Sequence, residues 1–447
     1  MSQKTPSVLP RANPWRYALG EFGLSLPGFA IGTYLVFFYS DVLALPVTLV
    51  AIARAINSVW DGLNDPIFAH LSDRTRTRWG RRRPWLWVVL PLNLIAWLAI
   101  WAPPRSLDAQ ALFAWFLVFL LFSETVATMS WVNYNALFPR VFTTEAQRVR
   151  ANAIRKALGQ VALIGGIALS PLLYSRWGFA GMGAVWAGIG SLAFLLFLLD
   201  FREEQEVPVA EAVPNFWRNV GDLLKNPAYR LYLGIFMLST LANTLLMAGM
   251  PFYAKYALDL AEGQTSLLFG AVFVTAIPGV ALWIYLTRRW RAARAWQIAL
   301  AWLMLALLPL SAVRSLWGSL LTAAVIGLGL SGGMVLGDVV LGQIIDDDAR
   351  RHGQPREAMF YGLAAVLARL SGLLNAQSFV LLTWLFGYVS GEQPGPNPDA
   401  AFRFFMVVIP GIVLLLAVGM AGWLRRTLSA AQPASMTPIA SVSDVTE

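Results

Sequence analysis

Twelve apolar stretches, each about as long as a bilayer is thick, constrain this chain more than any other feature. A helix needs about 20 apolar residues to cross the hydrocarbon core. Such stretches run over 17–40, 46–71, 85–102, 109–135, 153–174, 180–200, 229–255, 265–287, 296–313, 317–345, 357–389 and 401–424. The 447 residues are 57% hydrophobic and only 13% charged. A soluble globule of this size could not bury that much apolar surface, because surface does not shrink fast enough with mass. The sequence therefore predicts an all-α membrane protein. It excludes a disordered chain, a secreted disulfide scaffold and a soluble two-domain enzyme. With no Cys there are no disulfides and no thiolate metal sites. Two histidines, His70 and His352, are too few for a His-based metal centre. The polar start, with no cleavage-type site behind a short apolar core, predicts that the first span is retained.

Most of the 34 Lys and Arg fall in seven regions: the N-terminal segment, the loops after spans two, four, eight and ten, the centre and the tail. All seven lie on one side of a twelve-span chain. The bias of short loops predicts that both termini are cytoplasmic, in a bacterial-type inner membrane. The net charge of +9 then serves topology and lipid contact, and no basic soluble domain exists to carry nucleic acid. The longest polar break, 201–228, contains Pro208, Pro214 and Pro227 and divides the chain into six spans plus six. DRTRTRWGRRRP (73–84) after span two and TRRWRAARAW (287–296) after span eight stand at equivalent places. The expected plan is a six-helix bundle at 1–200, a cytoplasmic central loop at 201–228, a second bundle at 229–426 and a flexible tail at 427–447. Two pseudo-symmetric six-helix halves around a cavity is a carrier plan. A monomer is expected.

No GxxxxGK[ST] string occurs, which argues against ATP-driven transport by this chain alone. The GxGxxG string at 327–332 lies inside span ten and reads as close helix packing. No nucleophile, base and orienting group converge by spacing, so neither an enzyme nor a cofactor is expected.

Charges at membrane depth carry the chemistry, since each costs about 2.5–3.5 kcal/mol at a helix centre. Asp61 and Asp65, in WDGLNDP (60–66), are one helical turn apart and share a face. Two carboxylates on one face in low dielectric are stable together when a cation lies between them or one holds a proton. Asn64 adds a neutral oxygen and Thr128 a hydroxyl. The reading is a cation site of Asp61, Asn64, Asp65 and Thr128. Its coupling ion is Na+, held as a metal by Asp61 and Asp65, or H+. The competing reading makes Asp65 and Pro66 a kink and pairs Asp61 with an Arg.

Other polar residues at depth are Glu21, Ser25, Glu124, Asn135, Arg155, Asn243, Asp338, Arg369, Asn375 and Gln377. Arg369 is too deep to snorkel, and pairing with Asp338 or with the span-two carboxylates is physically attractive. Trp131 and Tyr134, near Asn135, either stack on a sugar or pack. The Arg cluster at 74–83 keeps its loop inside. Asp73, Arg74 and Arg81 could also bridge to Asp346 and Asp347 of IIDDDARRHGQPRE (344–357) as a gate between the halves.

EFG…YSDVLAL, WDGLNDP with LSDRTRTRWGRRRPW, NALFP…AQRVRANAIRK and IIDDDARRHGQPREAMFYG resemble the glycoside–pentoside–hexuronide:cation symporters. These are melibiose permease-like carriers of the major facilitator superfamily. The resemblance covers about 16–390. It implies twelve helices, alternating access and sugar uptake coupled to Na+, H+ or Li+. The family's cation residues fall on Asp61, Asn64, Asp65 and Thr128. Its Arg in span five falls on Arg155 and its Lys in span eleven on Arg369. The substrate residues expected from this are Ser25, Trp131, Asn135, Arg155 and Arg369. Three of them depart from the pattern: Ser25 and Trp131 stand where the family has sugar-holding Asp, and Asn135 where it has a stacking Trp. Ser58 replaces an Arg in span two. The implied function is cation-coupled symport of a sugar or glycoside, a small-molecule substrate, in contact with membrane lipids. A lysophospholipid or other amphiphile, or a sensor that does not transport, is the alternative.

Overall fold

The computed structural model describes residues 13–77, 79–200, 216–352, 356–391 and 393–431. Most of the expected central loop and the expected tail lie outside these residues. Among these residues thirteen α-helices follow one another: α1 (Pro14–Phe37), α2 (Val47–Arg74), α3 (Arg83–Trp101), α4 (Ala109–Val141), α5 (Glu145–Ala168), α6 (Ser170–Asp200), the short α7 (Phe216–Lys225), α8 (Pro227–Tyr256), α9 (Thr265–Thr287), α10 (Ala292–Ala306), α11 (Leu316–His352), α12 (Glu357–Phe386) and α13 (Pro398–Ala431). The starts obey capping chemistry. Asn13 and Asn226 accept hydrogen bonds from the first free N–H groups and are each followed by Pro, and Thr144 and Gln147 form a capping box.

Among the described residues, ten helices are long and apolar enough to cross a membrane. The two long helices that fall short, α2 and α5, are the ones richest in charge. Several helices overrun their expected spans. The sequence placed span five at 153–174, whereas α5 runs Glu145–Ala168 and α6 starts at Ser170. The first turns of α5, EAQRVR, are polar, so hydropathy alone misses them.

Packing repeats between the halves. In the first, α1 packs on α5 and α6, α4 on α2 and α3, and α3 on α6; in the second, α8 packs on α12 and α13, α11 on α9 and α10, and α10 on α13. Each helix thus meets the counterpart of its partner. The halves touch through α2 with α12, α1 with α8 and α5 with α9.

The glycine string of α11 is a packing device, as its position inside a span suggested. A Cβ at Gly327 would stand 2.1 Å from the Val272 carbonyl oxygen of α9, and one at Gly332 would stand 2.5 Å from Ala299 of α10. Gly327→Ala is therefore expected to destabilise the fold by about 1–3 kcal/mol, the usual cost of overpacking. A thermal melt of the purified protein checks this, and an unchanged midpoint would contradict it.

The two ends of the bundle differ. One, the basic face, carries residue 14, the 75–82 loop and the 288–291 loop. There Arg82 is buried and hydrogen-bonds Ser72 and Asp73, while Ser72 Oγ donates to Asn133 Oδ1 at 2.7 Å. At the opposite face Arg403 donates to the carbonyls of Leu310, Val313 and Ala257 at 2.8–2.9 Å. It satisfies groups left over where helices end.

Candidate functional site

α2 is amphipathic within the bundle. Its face toward α4 carries Asn57, Asp61 and Asn64, at spacings of four and three. Contacts with α4 fix that orientation: Asn57 Nδ2 donates to Glu124 Oε2 at 3.2 Å, and Trp60 Nε1 donates to Thr125 Oγ1 at 2.9 Å. Glu124 also lies within electrostatic reach of Asp61. Arg54, one turn before Ser58, lies within electrostatic reach of Glu124 and points at Gly372 of α12.

The space between Asp61 and Asp65 is not open. Arg369 of α12 places Nε 3.0 Å from Asp61 Oδ2, donates from Nη1 to the Asp61 carbonyl at 3.1 Å, and bonds Asp65 through Nη2. Of the two readings open from sequence, the pairing of Asp61 with an Arg is the arrangement seen. The guanidinium arrives from the other half, 304 residues away, and relieves their mutual repulsion. Arg369, grouped with the substrate residues in the sequence reading, is held by both carboxylates here. Of the two partners open to Arg369 from sequence, the span-two carboxylates take it and Asp338 does not. Asn64 and Thr128 are buried, at 0% and 5% exposure.

The remaining expected substrate residues form a separate group in the first half. Arg155 pairs with Glu21 at 2.9 Å and lies over the Tyr134 and Phe138 rings at 5.5 and 5.3 Å. Trp131 meets Tyr134 edge-on at 6.0 Å, Ser25 is buried on α1, and Asn135 is exposed. Tyr134 is the hub, because its ring also stacks on Tyr17.

A cavity of about 210 Å³ lies between the halves. α1 contributes Gly28, Phe29, Gly32 and Thr33; α8 contributes Asn243, Thr244 and Met247; Phe273 and Met334 come from α9 and α11. A second cavity, of about 180 Å³, shares Asn243 and Met334 and adds Asp338 with Ser239 and Thr240.

Among the described residues, the expected gate residues pair within their own halves. Asp73 bonds Arg82 in its own half, and Asp347 pairs with Arg351 at 2.7 Å one turn along the same helix. Asp346 lines a cavity of the second half with Arg291, Arg350 and Arg425. Arg74 ends α2, and Arg81 lies in the short stretch before α3. A partner one helical turn away costs little ordering, so local pairing wins over a bridge between halves.

A latch that the sequence reading missed lies at the opposite face. α1 ends in a π-helical turn, Phe38–Val42, which buries the Asp41 side chain completely. Lys255 and Tyr256 of α8 both donate to Asp41. Phe37 meets Phe252 edge-on at 4.9 Å beneath them. Gly391 packs so near Ala44 that a Cβ there would stand 2.8 Å away. The one available signal was an acid within the otherwise apolar YSDVLAL.

The chain matches the family profile described as MFS/sugar transport protein over residues 16–428. It belongs to the glycoside–pentoside–hexuronide:cation symporters of the major facilitator superfamily. This is a family of transmembrane transporters, not enzymes. An uncharacterized symporter of Synechocystis is 30% identical over 46% of this chain and 40% of its own length. The isoprimeverose transporter of Lactiplantibacillus pentosus is 24% identical over 45% of this chain and 43% of its own. The mouse sodium-dependent lysophosphatidylcholine symporter 1 is 24% identical over 92% of this chain and 85% of its own. The chain thus spans less than half of the first two relatives and most of the third. Among solved structures, a bacterial homologue of the human lysosomal transporter Spinster, inward-facing and unoccupied, superposes with a TM-score of 0.73 at 13% identity. It covers 96% of this chain and 100% of that one, and shows the fold alone.

Proposed function

We propose that this symporter moves an organic solute by alternating access, driven by a monovalent cation captured at the acidic face of α2. One observation carries the reading. The ion pair at mid-depth, Arg369 on Asp61 and Asp65, joins the two halves through the very carboxylates suited to an ion. A cation arriving at Asp61 weakens the hold on Arg369 and so loosens α2 from α12. Cation binding and movement of the halves are then one event. By linkage, substrate and cation raise each other's affinity by the same factor.

In this reading all twelve long helices span the membrane, α2 and α5 included, because their charges face neighbouring helices. The basic face is cytoplasmic, both termini lie inside, and the membrane is a bacterial-type inner membrane. The Asp41 latch then closes the outside. Asp73 and Asp347, held within their own halves, leave the inner side without their bridge. This matches an inward-facing carrier.

The cavity between the halves favours a solute with a substantial apolar part. Thr33, Asn243 and Thr244 are its polar lining, against Phe29, Leu163, Ile167, Met247, Phe273 and Met334 among others. A sugar buried there would leave hydroxyls unpaired, at about 1–3 kcal/mol each. A lysophospholipid chain would not. The sugar reading keeps the support of the family description and of the Trp131, Tyr134 and Arg155 group, whose ring faces and charge suit a polar ring.

A thermal-stability screen separates them. Lysophosphatidylcholine is expected to raise the melting midpoint more with Na+ present than with choline, and free glycosides are expected to give no Na+-dependent shift. Ligand stabilisation follows mass action, so a true substrate shows it at concentrations above Kd. A Na+-dependent shift with a glycoside alone would return the substrate to the sugar class.

A further inference from the structure

Two opposite charges face the space between the halves and meet no partner among the described residues. Asp338 of α11 lines the smaller cavity, and Lys156 stands on α5; both are exposed. Neither makes an ion pair or a hydrogen bond there, although Lys156 lies within electrostatic reach of Asp338. Glu21 of α1 is also within reach of Lys156, but Arg155 holds it at 2.9 Å. Leu163 and Ile167 line the larger cavity two and three turns further along α5, so Lys156 shares their face. A charge kept inside a membrane bundle is costly and marks a functional position.

The two cavities join walls of different chemistry. They share Asn243, Leu330 and Met334. The larger is mostly apolar, whereas the smaller carries Asp338 with Ser239 and Thr240. Ser239 Oγ donates to the Ile235 carbonyl at 2.7 Å and Thr240 Oγ1 to the Phe236 carbonyl at 2.8 Å. Their protons are spent along α8, so they offer a ligand lone pairs alone. Phe236 and Trp296 line the same cavity. A carboxylate beside aromatic rings is a setting for an ammonium group. Trp296 is 1% exposed and its Nε1 has no partner among the described residues, which leaves a donor for a ligand oxygen.

We propose that Lys156 and Asp338 form a head-group subsite that selects a zwitterion. Asp338 takes a cationic nitrogen, Lys156 takes an anionic oxygen group, and the adjoining larger cavity takes the apolar part. A solute with one charge would leave the other side chain uncompensated, and a neutral solute would leave both. The two side chains come from opposite halves. A head group that spans them therefore ties α5 to α11 and holds the closed arrangement better than the open one. The subsite rests on the symport reading above and narrows its amphiphile to a zwitterionic one.

The test uses the purified full chain in detergent. Melting midpoints are read against three probes of equal chain length: a lysophosphatidylcholine, a lysophosphatidylglycerol and an alkyltrimethylammonium. Each is measured in NaCl and in KCl at equal ionic strength, since choline carries the group under test. Lysophosphatidylcholine is expected to stabilise the wild type most. Asp338→Asn is expected to weaken its apparent affinity at least about tenfold and to make lysophosphatidylglycerol the better ligand. Lys156→Gln is expected to weaken it by a similar factor and to favour the alkyltrimethylammonium. Side chains that only pair with each other, or only support the fold, would move all three probes alike. Equal loss of all three probes, or unchanged lysophosphatidylcholine affinity in either variant, overturns the subsite; a retained Na+ dependence then leaves the symport reading standing. A wild type that prefers a singly charged probe overturns it too. The expected switch of preference with equal midpoints in NaCl and KCl sustains the subsite and sinks coupling to Na+.

Discussion

Asp61→Asn is expected to abolish cation-driven accumulation while leaving the bundle folded. The amide matches the carboxylate in size, so packing against α4 and α12 is kept. Its charge is what is lost. Asp61 is the one carboxylate that reaches both Arg369, at 3.0 Å, and Glu124. Without it Asp65 still holds Arg369, and Glu124 has Arg54 within electrostatic reach, so less negative charge is left to draw a cation in. Two unit charges about 4 Å apart at an effective dielectric near 20 interact by about 4 kcal/mol. A tenfold change in affinity corresponds to about 1.4 kcal/mol, so cation affinity should fall by two orders of magnitude or more. Proteoliposomes with an imposed Na+ gradient, fed the solute that the stability screen identifies, measure this directly. Accumulation should vanish. Exchange across the same vesicles without a gradient should persist, because the halves can still rock. Wild-type accumulation in the variant would end the case for Asp61.

Lys255→Met is expected to open the opposite face. The Asp41 carboxylate is wholly buried and held by the Lys255 ammonium and the Tyr256 hydroxyl. Breaking a fully buried ion pair costs about 3–5 kcal/mol, but the Lys255 side chain is 45% exposed and Tyr256 still donates to Asp41, so the loss here should be about 1–2 kcal/mol. That penalty falls only on the state in which α1 and α8 meet at this face. In the other state Asp41 reaches water and loses little. The equilibrium should therefore swing toward the open form by about tenfold. Because the chain has no Cys, one introduced thiol reports without background. Cys in place of Thr33, on the wall of the cavity between the halves, should react faster with a membrane-impermeant maleimide applied from the opposite face when Lys255 is Met. Equal rates in both backgrounds would show that the latch does not hold the carrier shut. Asp41→Asn should act in the same direction, but less, since an amide still accepts from Tyr256.

Most of the span pattern was legible because hydropathy is local: ten of the described helices are long and apolar enough to cross a membrane. An apolar run of bilayer length declares a helix whatever surrounds it, and the glycines of α11 announce close packing by their size. The acid pair of α2 was equally readable, since four residues on a helix define one face. Linear motifs such as WDGLNDP and the arginine-rich loop after it carried the family. Helix ends were less legible: α5 starts in polar residues that no hydropathy window counts.

Tertiary structure decided who meets whom. Arg369 joins Asp61 across 308 residues, Glu124 joins Asn57 across 67, and Lys255 joins Asp41 across 214. Each of these charges was visible in the sequence, yet Arg54, Glu124 and Asp41 had no assigned role there. Periodicity says which residues share a face but not which face of another helix lies against it. That depends on the summed packing of all the helices, in which small residues such as Gly327 set how near two axes come. The sequence by itself thus pointed to charges kept inside a membrane bundle, while only the assembled bundle showed which of them meet across its halves.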